Sequence, residues 1–423
     1  VVKIVVIRNY NYDVIIVGGG SAGVAAAAGA AALGVQTLLI ERGPYFGGQA
    51  TNCSIPTYDG FFTRAEPFEQ VVGGVGQQVI DKLTMMNACQ EPLRSPWGNV
   101  MLPVNNEAVK FALDACLEES GADCRLHSRV IGARAVEGMI TAIECVDDNG
   151  IFIIKASAFV DASGECNLTA MAGGEMFIPH PAAMQVGTLL VRYGGVSPQA
   201  DLSQLGIKAA ISKAKECGIV PLSKDSGFMM RVPCSNDIVA ILANERVNGL
   251  DSASLTMAEI GARKQARAYL QAFRQFLPGF EEAYINQTGP QLGIWETRHT
   301  QGEYVITGED VVQARRFEDA VARGCWPVER HSNPGTLASY EWIANDSYYD
   351  IPLRALKVNG LKNLWAAGRN ISCDLTAFAS VRVMGTAFAT GHAAGVAAAL
   401  YAKQGYVKTA QVQSELLRQK AII

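Results

Sequence analysis

A short stretch near the start of the chain constrains its fold more than any other. Residues 12–17 read Tyr-Asp-Val-Ile-Ile-Val, an apolar, β-branched run suited to a parallel strand buried on both faces. Gly18-Gly19-Gly20-Ser21-Ala22-Gly23 follows without a spacer. An Ala-rich helix is then expected from Val24 to Leu33, stopped by Gly34, and a second strand from Val35 to Ile40, ending in Glu41-Arg42. Gly18, Gly20 and Gly23 occupy the three positions of GxGxxG. The first permits a tight strand-to-helix turn. The second lets backbone N–H groups, with Ser21 and Ala22 at the helix start, approach a pyrophosphate at the positive helix end. The third allows close helix–strand packing. Glu41 lies 23 residues after Gly18, where an acidic side chain hydrogen-bonds a ribose hydroxyl. This order of pieces specifies a mononucleotide-binding Rossmann unit and does not choose between NAD and FAD.

The rest of the chain is large enough to carry more than this unit. Its 423 residues correspond to two large or three ordinary domain-sized masses of about 150 residues. With 49% apolar and 18% charged residues, it has material for a large core and not the composition of a disordered chain. A net charge of −4 gives no electrostatic case for nucleic acid or an anionic membrane. No two of the ten cysteines lie within six residues of each other. That spacing removes zinc ribbons, ferredoxin-type clusters and thioredoxin-like pairs, so no metal is expected. Scattered reduced thiols fit a reducing compartment. Lys3 and Arg8 fall inside a short apolar stretch that runs into the first strand rather than forming a secretory leader. No strongly apolar run reaches the ~18 residues of a membrane span. A cytoplasmic protein is expected.

Four further segments extend the nucleotide motif. Glu41-Arg42-Gly43-Pro44-Tyr45-Phe46-Gly47-Gly48 runs from the ribose acid into a Gly-Gly turn. Ala158-Phe159-Val160-Asp161-Ala162-Ser163-Gly164-Glu165 is a strand followed by a small-residue turn. Asn363-Leu364-Trp365-Ala366-Ala367-Gly368-Arg369 is a strand ending in Gly, and Ser380 to Gly395 is a helix start followed by a small-residue helix. Together they resemble the glutathione-reductase-like FAD superfamily. The resemblance implies FAD as cofactor, with Gly48, Gln49 and Ala50 along the flavin and the Val130 backbone at adenine. It implies Ala162 and Gly164 near the cofactor, Gly368 and Arg369 closing on pyrophosphate and ribitol, and Arg382, Met384, Gly385 and Thr386 at a helix N-terminus aimed at the flavin pyrimidine. Such an N-terminus stabilises negative charge on reduced flavin. A narrower resemblance is to the FAD-dependent oxidoreductase family that includes the flavin subunit of heterodisulfide reductase. It rests on Glu296 to Tyr304, Gly308-Glu309-Asp310, Arg315 to Ala322 and Tyr349-Asp350-Ile351-Pro352, and spans residues 12 to 402. Arg298-His299 stands where the family often has two adjacent basic residues. The iron–sulfur motifs of that subunit are absent, so its activity is not implied.

Two features of related flavoproteins are missing. There is no second strand–GxGxxG–helix unit, because Gly73-Gly74-Val75-Gly76 lacks a preceding strand. Where disulfide reductases of the superfamily carry two cysteines, this chain has Cys53 alone, which excludes a flavin–disulfide relay. Cys53 itself is open between turn filler, covalent flavin anchor and catalytic thiol.

The expected fold class is α/β: a Rossmann-like FAD-binding domain with a parallel sheet in three layers, and an inserted α+β substrate domain. The FAD domain takes residues 1–174 and 346–402, with a helical excursion at about 63–104. The substrate domain takes 175–345, and 403–423 form a C-terminal helix. Within this frame a helix is expected from Asn106 to Ser120, a strand from Asp123 to Val130, and a hairpin turning at Asn149-Gly150. Strands are expected within Met184 to Tyr193 and Phe228 to Ala243. A helix from Thr256 to Phe276 would start with Thr256 as N-cap and Glu259 completing a capping box.

Four residues are the catalytic candidates. Arg298 offers a guanidinium for a carboxylate or oxyanion, or else pairs with Glu296 or Glu303. His299 and His331 offer a general acid/base near neutral pH, or else are satisfied hydrogen-bonding groups. Cys53 is the fourth. His392 is read as structural, and Glu309-Asp310 as an acidic pair at a helix start. The expected function is FAD-dependent oxidation or reduction of a small polar organic substrate, neutral or anionic, by hydride transfer. Electrons would pass to oxygen, a quinone or a separate carrier. An electron-transfer subunit of a complex and an FAD monooxygenase are the alternatives, and a homo-oligomer is left open.

Overall fold

A computed structural model describes residues 8–180, 183–331 and 333–423. The opening stretch with Lys3 lies outside them. The organising element is a five-stranded parallel sheet built from β1 (Val14–Val17), β2 (Thr37–Ile40), β3 (Asp123–Arg125), β4 (Ala158–Asp161) and β5 (Leu364–Ala366), in the order β5-β4-β1-β2-β3. Alternation along β1 divides the layers. Val14 and Ile16 join the core under the helices, while Ile15 and Val17 join a second core on the opposite face. That second core packs against the antiparallel strands Arg129–Val136, Met139–Asp147 and Gly150–Lys155. The three layers are therefore helices, parallel sheet and antiparallel sheet, as the strand period requires.

The helical layer is held by small residues. α1 (Ser21–Ala31), α2 (Asn106–Ser120) and α4 (Met384–Gln404) cover one face of the sheet. A Cβ added at Gly391 would lie 2.1 Å from the Ala22 carbonyl oxygen, and one at Gly395 would lie 2.1 Å from that of Ala26. The two helices thus cross at backbone distance, which only glycine on one side and alanine on the other permit. α2 begins at the Asn105 side chain, which accepts from the Glu107 and Ala108 N–H groups, and ends at the left-handed Gly121.

The stretch at 63–104 differs from the helical excursion expected. It contains one helix, Val75–Met85, and otherwise contributes Leu93–Arg94 and Val100–Pro103 to a three-stranded antiparallel sheet with Thr57–Asp59. Pro92 and Pro96 interrupt any helical pattern there.

A second sheet of four antiparallel strands runs in the order Phe228–Arg231, Ile238–Glu245, Gly187–Gly194, Tyr284–Thr288. The helix Gln204–Glu216 and α3 (Ser252–Phe276) pack on it through Tyr193, Tyr269, Phe273 and Phe280. α3 starts one turn earlier than expected. Asp251 is its N-cap, accepting from Ala253 and Ser254, while the Thr256 hydroxyl donates to the Ser252 carbonyl inside the helix. Glu259 is not part of a capping box. It accepts from the Leu292 N–H and pairs with Arg263. At the C-terminal end α4 continues to Gln404, and the final helix is Thr409–Arg418. Among the described residues no single helix is long and apolar enough to cross a membrane.

Candidate functional site

The strand-to-helix turn after β1 opens a long cleft. Gly18 has φ +101°, and a Cβ there would sit 2.5 Å from the Ala162 carbonyl oxygen, so the turn admits glycine alone. A Cβ at Gly23 would sit 1.7 Å from the Gly18 carbonyl oxygen, the close helix–strand contact the motif implies. Gly20 is different. Its nearest neighbour would be 3.7 Å away, so the space it leaves opens onto the cleft. The first helical bond of α1 runs from Val24 N–H to Gly20 at 3.0 Å, which leaves the preceding N–H groups directed out of the helix. The Ser21 hydroxyl is buried there without a hydrogen-bond partner among the described residues. An unpartnered hydroxyl beside free N–H groups at a positive helix end fits a pyrophosphate.

The cleft continues past Glu41, Arg42, Gly48 and Gln49, past Ala162 to Glu165, and past Gly368 and Arg369 to Arg382 and Met384. Glu41 is fixed by two backbone amides, accepting from Gly19 and Gly43 at 2.7 Å each. Arg369 is fixed by the Gly164 carbonyl at 2.8 Å and by the Glu165 carboxylate. The cleft ends at the start of α4, a second helix N-terminus. The Thr386 hydroxyl is buried there without a partner among the described residues.

At that end a second cavity adjoins the cleft. Gln49, Ile294, Arg369, Arg382 and Met384 line both. Its walls are mostly apolar and aromatic: Trp97, Met101, Phe228, Trp295, Trp326 and Ile241. Trp97 and Phe228 lie 5.7 Å apart. Trp295 stacks on His331 at 5.3 Å and carries the Arg382 guanidinium 4.5 Å from its ring centre. The lining comes from the three-stranded sheet through Thr57, Asp59 and Met101, from the second sheet through Phe228 and Ile241, and from the hairpin Val328–Arg330 with Ser339–Glu341, so no one segment of sequence encodes the cavity.

Its polar groups form one cluster and two isolated charges. Glu329 is the hub. It accepts from Tyr340 at 2.7 Å, from Arg382 at 3.0 Å and from Trp326 at 3.1 Å, and lies 3.5 Å from His331. Burial opposes its charge, but His331, Arg382 and Tyr340 hold the carboxyl well below the usual carboxylate range. Burial lowers the His331 pKa despite Glu329, which favours a neutral imidazole beside the carboxylate. Asp59 ends its strand where Gly60 backs onto Gly385 and Val383 at the start of α4. Burial, reinforced by Glu329, pushes it up to about 7. One of its oxygens is buried without a partner among the described residues. Lys224 also lines the cavity and is brought down to about 8 by burial.

The sequence candidates fall into two groups. His331 lines the cavity. Gly18, Gly20, Ser21, Ala22, Glu41, Arg42, Gly48, Gln49, Ala162, Gly164, Gly368, Arg369, Arg382 and Met384 line the cleft. The others do not. Gly23 and Gly385 serve backbone packing. Ala50 is fully buried, with its carbonyl bonded to Asn106 at 2.7 Å. Val130 is buried in the core beneath the antiparallel sheet. Thr386 stands behind Met384 in the first turn of α4.

Three of the four catalytic candidates line neither the cleft nor the cavity. Arg298 meets neither Glu296 nor Glu303. It donates to the Glu165 carbonyl and the Asn167 side chain, both at 2.7 Å, and lines neither space. His299 is fully buried between Glu296 at 3.1 Å and the Cys373 sulfur at 3.7 Å, with no face on the cavity. Cys53 is fully buried, near Gln291 at 3.9 Å, and burial pushes its thiol up to about 12. Its thiol lines neither space, and burial favours its neutral form. His392 bonds Gln419 at 2.6 Å, and Asp310 forms a capping box with Thr307. Asp59, Lys224, Glu329 and Tyr340 are the titratable groups that line the cavity with His331. Only Glu329 had a sequence signal, its neighbour His331.

The chain matches, over residues 13–420, the family model described as FAD dependent oxidoreductase. No curated protein matches it. Among solved structures, a geranylgeranyl bacteriochlorophyll reductase-like protein from Thermoplasma acidophilum is 15% identical with a TM-score of 0.47, over 98% of this chain and 85% of that one. A p-nitrophenol 4-monooxygenase from Pseudomonas putida DLL-E4 is 10% identical with a TM-score of 0.49, over 97% and 84%. A flavin-dependent brominase is 13% identical with a TM-score of 0.45, over 97% and 83%.

Proposed function

This chain belongs to the FAD-dependent oxidoreductase family, and within it we propose that it oxidises or reduces a flat, largely apolar organic substrate held in the aromatic cavity at the end of the dinucleotide cleft. The observation that carries this reading is the shared wall. Gln49, Ile294, Arg369, Arg382 and Met384 face both spaces, so a molecule among the tryptophans lies against whatever fills that end of the cleft. The aromatic lining replaces the expectation of a small polar substrate. A subunit that only relays electrons has no use for such a cavity. The order of the cofactor segments supports a kinship with glutathione-reductase-like flavoproteins, including the heterodisulfide reductase flavin subunit.

FAD supplies a two-electron carrier that takes or gives a hydride. The residues of the chain do the rest. The tryptophans orient the substrate plane and exclude water. Arg382, backed by Glu329, and the N-terminus of α4 stabilise negative charge at the flavin end. Asp59 is the proton-transfer group: it ends beside α4, one of its oxygens is free, and it titrates near neutrality. His331, stacked on Trp295 and beside Glu329, fixes the indole and the carboxylate as a positioning residue. For an oxidised substrate the two electrons would go to oxygen, a quinone or a separate carrier; for a reduced one a separate carrier would supply them.

Anaerobic mixing of the FAD-loaded protein with a panel of aromatic alcohols, amines and acids tests this. Bleaching of the flavin band by an aromatic compound, at a rate that falls when Trp295 is replaced by Ala, is expected. Protein that takes up no FAD, or flavin that responds only to small polar compounds, would overturn the proposal. Bleaching by NADPH in the absence of substrate would favour the monooxygenase reading.

A further inference from the structure

The aromatic cavity contains charges of both signs, and they do not balance. Glu329 is paired with Arg382 at 3.0 Å, and Arg369 with Glu165. Asp59 is held largely neutral below neutrality by burial. Lys224 is left over. It is 6% exposed, and among the described residues its ammonium makes neither a hydrogen bond nor an ion pair. Its interaction with Glu329 acts only at a distance.

The position is built rather than incidental. The Lys224 backbone is pinned to α3 by one hydroxyl: its N–H donates to the Tyr269 oxygen at 2.8 Å, and its carbonyl accepts from that hydroxyl at 3.3 Å. The preceding Ser223 donates to Gln265 of α3 at 2.6 Å. Tyr269 is itself fully buried in the aromatic core of the second sheet. The loop is thus anchored at two consecutive residues, with the lysine side chain against the cavity. A cation in a mostly apolar space carries a desolvation cost that an incoming anion removes.

The geometry points to Lys224 as the specificity-determining residue that binds an anionic group, a carboxylate or phenolate, on the aromatic substrate. This rests on the cavity being the substrate site. The aromatic body lies among Trp97, Phe228 and Trp295, and the anion meets Lys224 on the wall supplied by the second sheet. Lys224 lines the cavity but not the cleft, so the anion is held away from the flavin and the opposite end of the substrate is the one presented for reaction. Glu329 does not repel such a ligand, because Arg382, Tyr340 and Trp326 already bind it.

Benzoate and its neutral isostere benzamide are the probes. Binding to the FAD-loaded protein at pH 6.5 is read by the flavin spectrum and by calorimetry. Benzoate is expected to bind about ten- to a hundred-fold more tightly than benzamide, the range of one charge-assisted contact. Lys224→Met should bring the two to near parity with benzamide affinity unchanged, and Lys224→Arg should keep the preference. Equal binding by the unmodified protein, or a preference that survives Lys224→Met, would overturn the assignment of Lys224 while leaving the cavity as the substrate site. Failure of both probes to bind flavin-loaded protein would overturn the cavity reading and this inference with it. If the Met variant does not hold FAD, the comparison in the unmodified protein still decides, and Lys224→Gln provides a second neutral side chain.

Discussion

Asp59 has a cost that the folded chain bears. Its pKa is raised to about 7, chiefly by burial, from an ordinary 3.8, so the folded state binds a proton more tightly than the unfolded chain. Its contribution to stability is complete below about pH 4 and is lost as pH rises through 7. Asp59→Asn is therefore expected to raise the melting temperature at pH 8, with the gain shrinking toward pH 4, while lowering kcat by about 10²-fold or more through loss of the proton-transfer group. A variant less stable at pH 8, or one with unchanged kcat, would count against this assignment. Cys53 gives the opposite case. Walled off and neutral, it should play no part in holding the cofactor. After acid precipitation the yellow colour is expected in the supernatant, and Cys53→Ser should keep its flavin. Colour in the pellet would contradict the buried placement. The sequence pointed at histidines, an arginine and a cysteine because those residue types often do chemistry. It carried no sign that Arg298 would be spent on the Glu165 carbonyl or that Asp59 would face a cavity. Burial is set by segments distant in the chain, and burial decides which groups can react.

At the scale of elements, the α1–α4 crossing is the contact on which the cofactor cleft depends. Gly391→Val puts branched carbon where the Ala22 carbonyl stands. Backbone cannot move aside cheaply, so the helices must separate and the first turn of α1 shifts with them. Loss of bound FAD together with a lower melting temperature is expected, read by the flavin-to-protein absorbance ratio and by thermal unfolding. Caps provide a finer test. Asp251→Ala should cost about 1 kcal/mol in urea unfolding and Thr256→Ala much less, because Asp251 makes the cap. The helix itself was legible from its apolar period. Its first turn was not, because Thr256 and Glu259 have the spacing of a capping box although Glu259 is used by Leu292 and Arg263. The β1–α1–β2 unit was read to within a few residues, since a glycine motif, a run of small residues and two β-branched runs are local signals.

At the scale of the molecule, a cleft bounded by residues from 18 to 387 couples distant segments when it is filled. FAD at 100 times its Kd should stabilise the fold by about 2.7 kcal/mol, and the melting temperature should rise with FAD concentration. A melting temperature indifferent to added FAD would mean that the cleft is not the cofactor site. The second sheet lines the aromatic cavity through Phe228 and Ile241 and is preceded by the loop that carries Lys224, while Thr57, Asp59, Trp97 and Met101 bring further lining from the first third of the chain.

The amino-acid sequence alone determined the cofactor half of this protein. GxGxxG after a buried strand, the turn at 162–164 and the small-residue helix after Val383 each act through backbone approach, which is written locally in glycines and alanines, and the acid at 41 stands at a fixed spacing from the first glycine. The cavity was brought together by the tertiary structure: of its polar and aromatic groups the sequence had singled out His331, while Asp59, Lys224 and Trp295 come from segments far from the Glu329–His331 stretch. Their charge states follow from desolvation and from neighbours across the cavity, neither of which has a period or spacing in the chain.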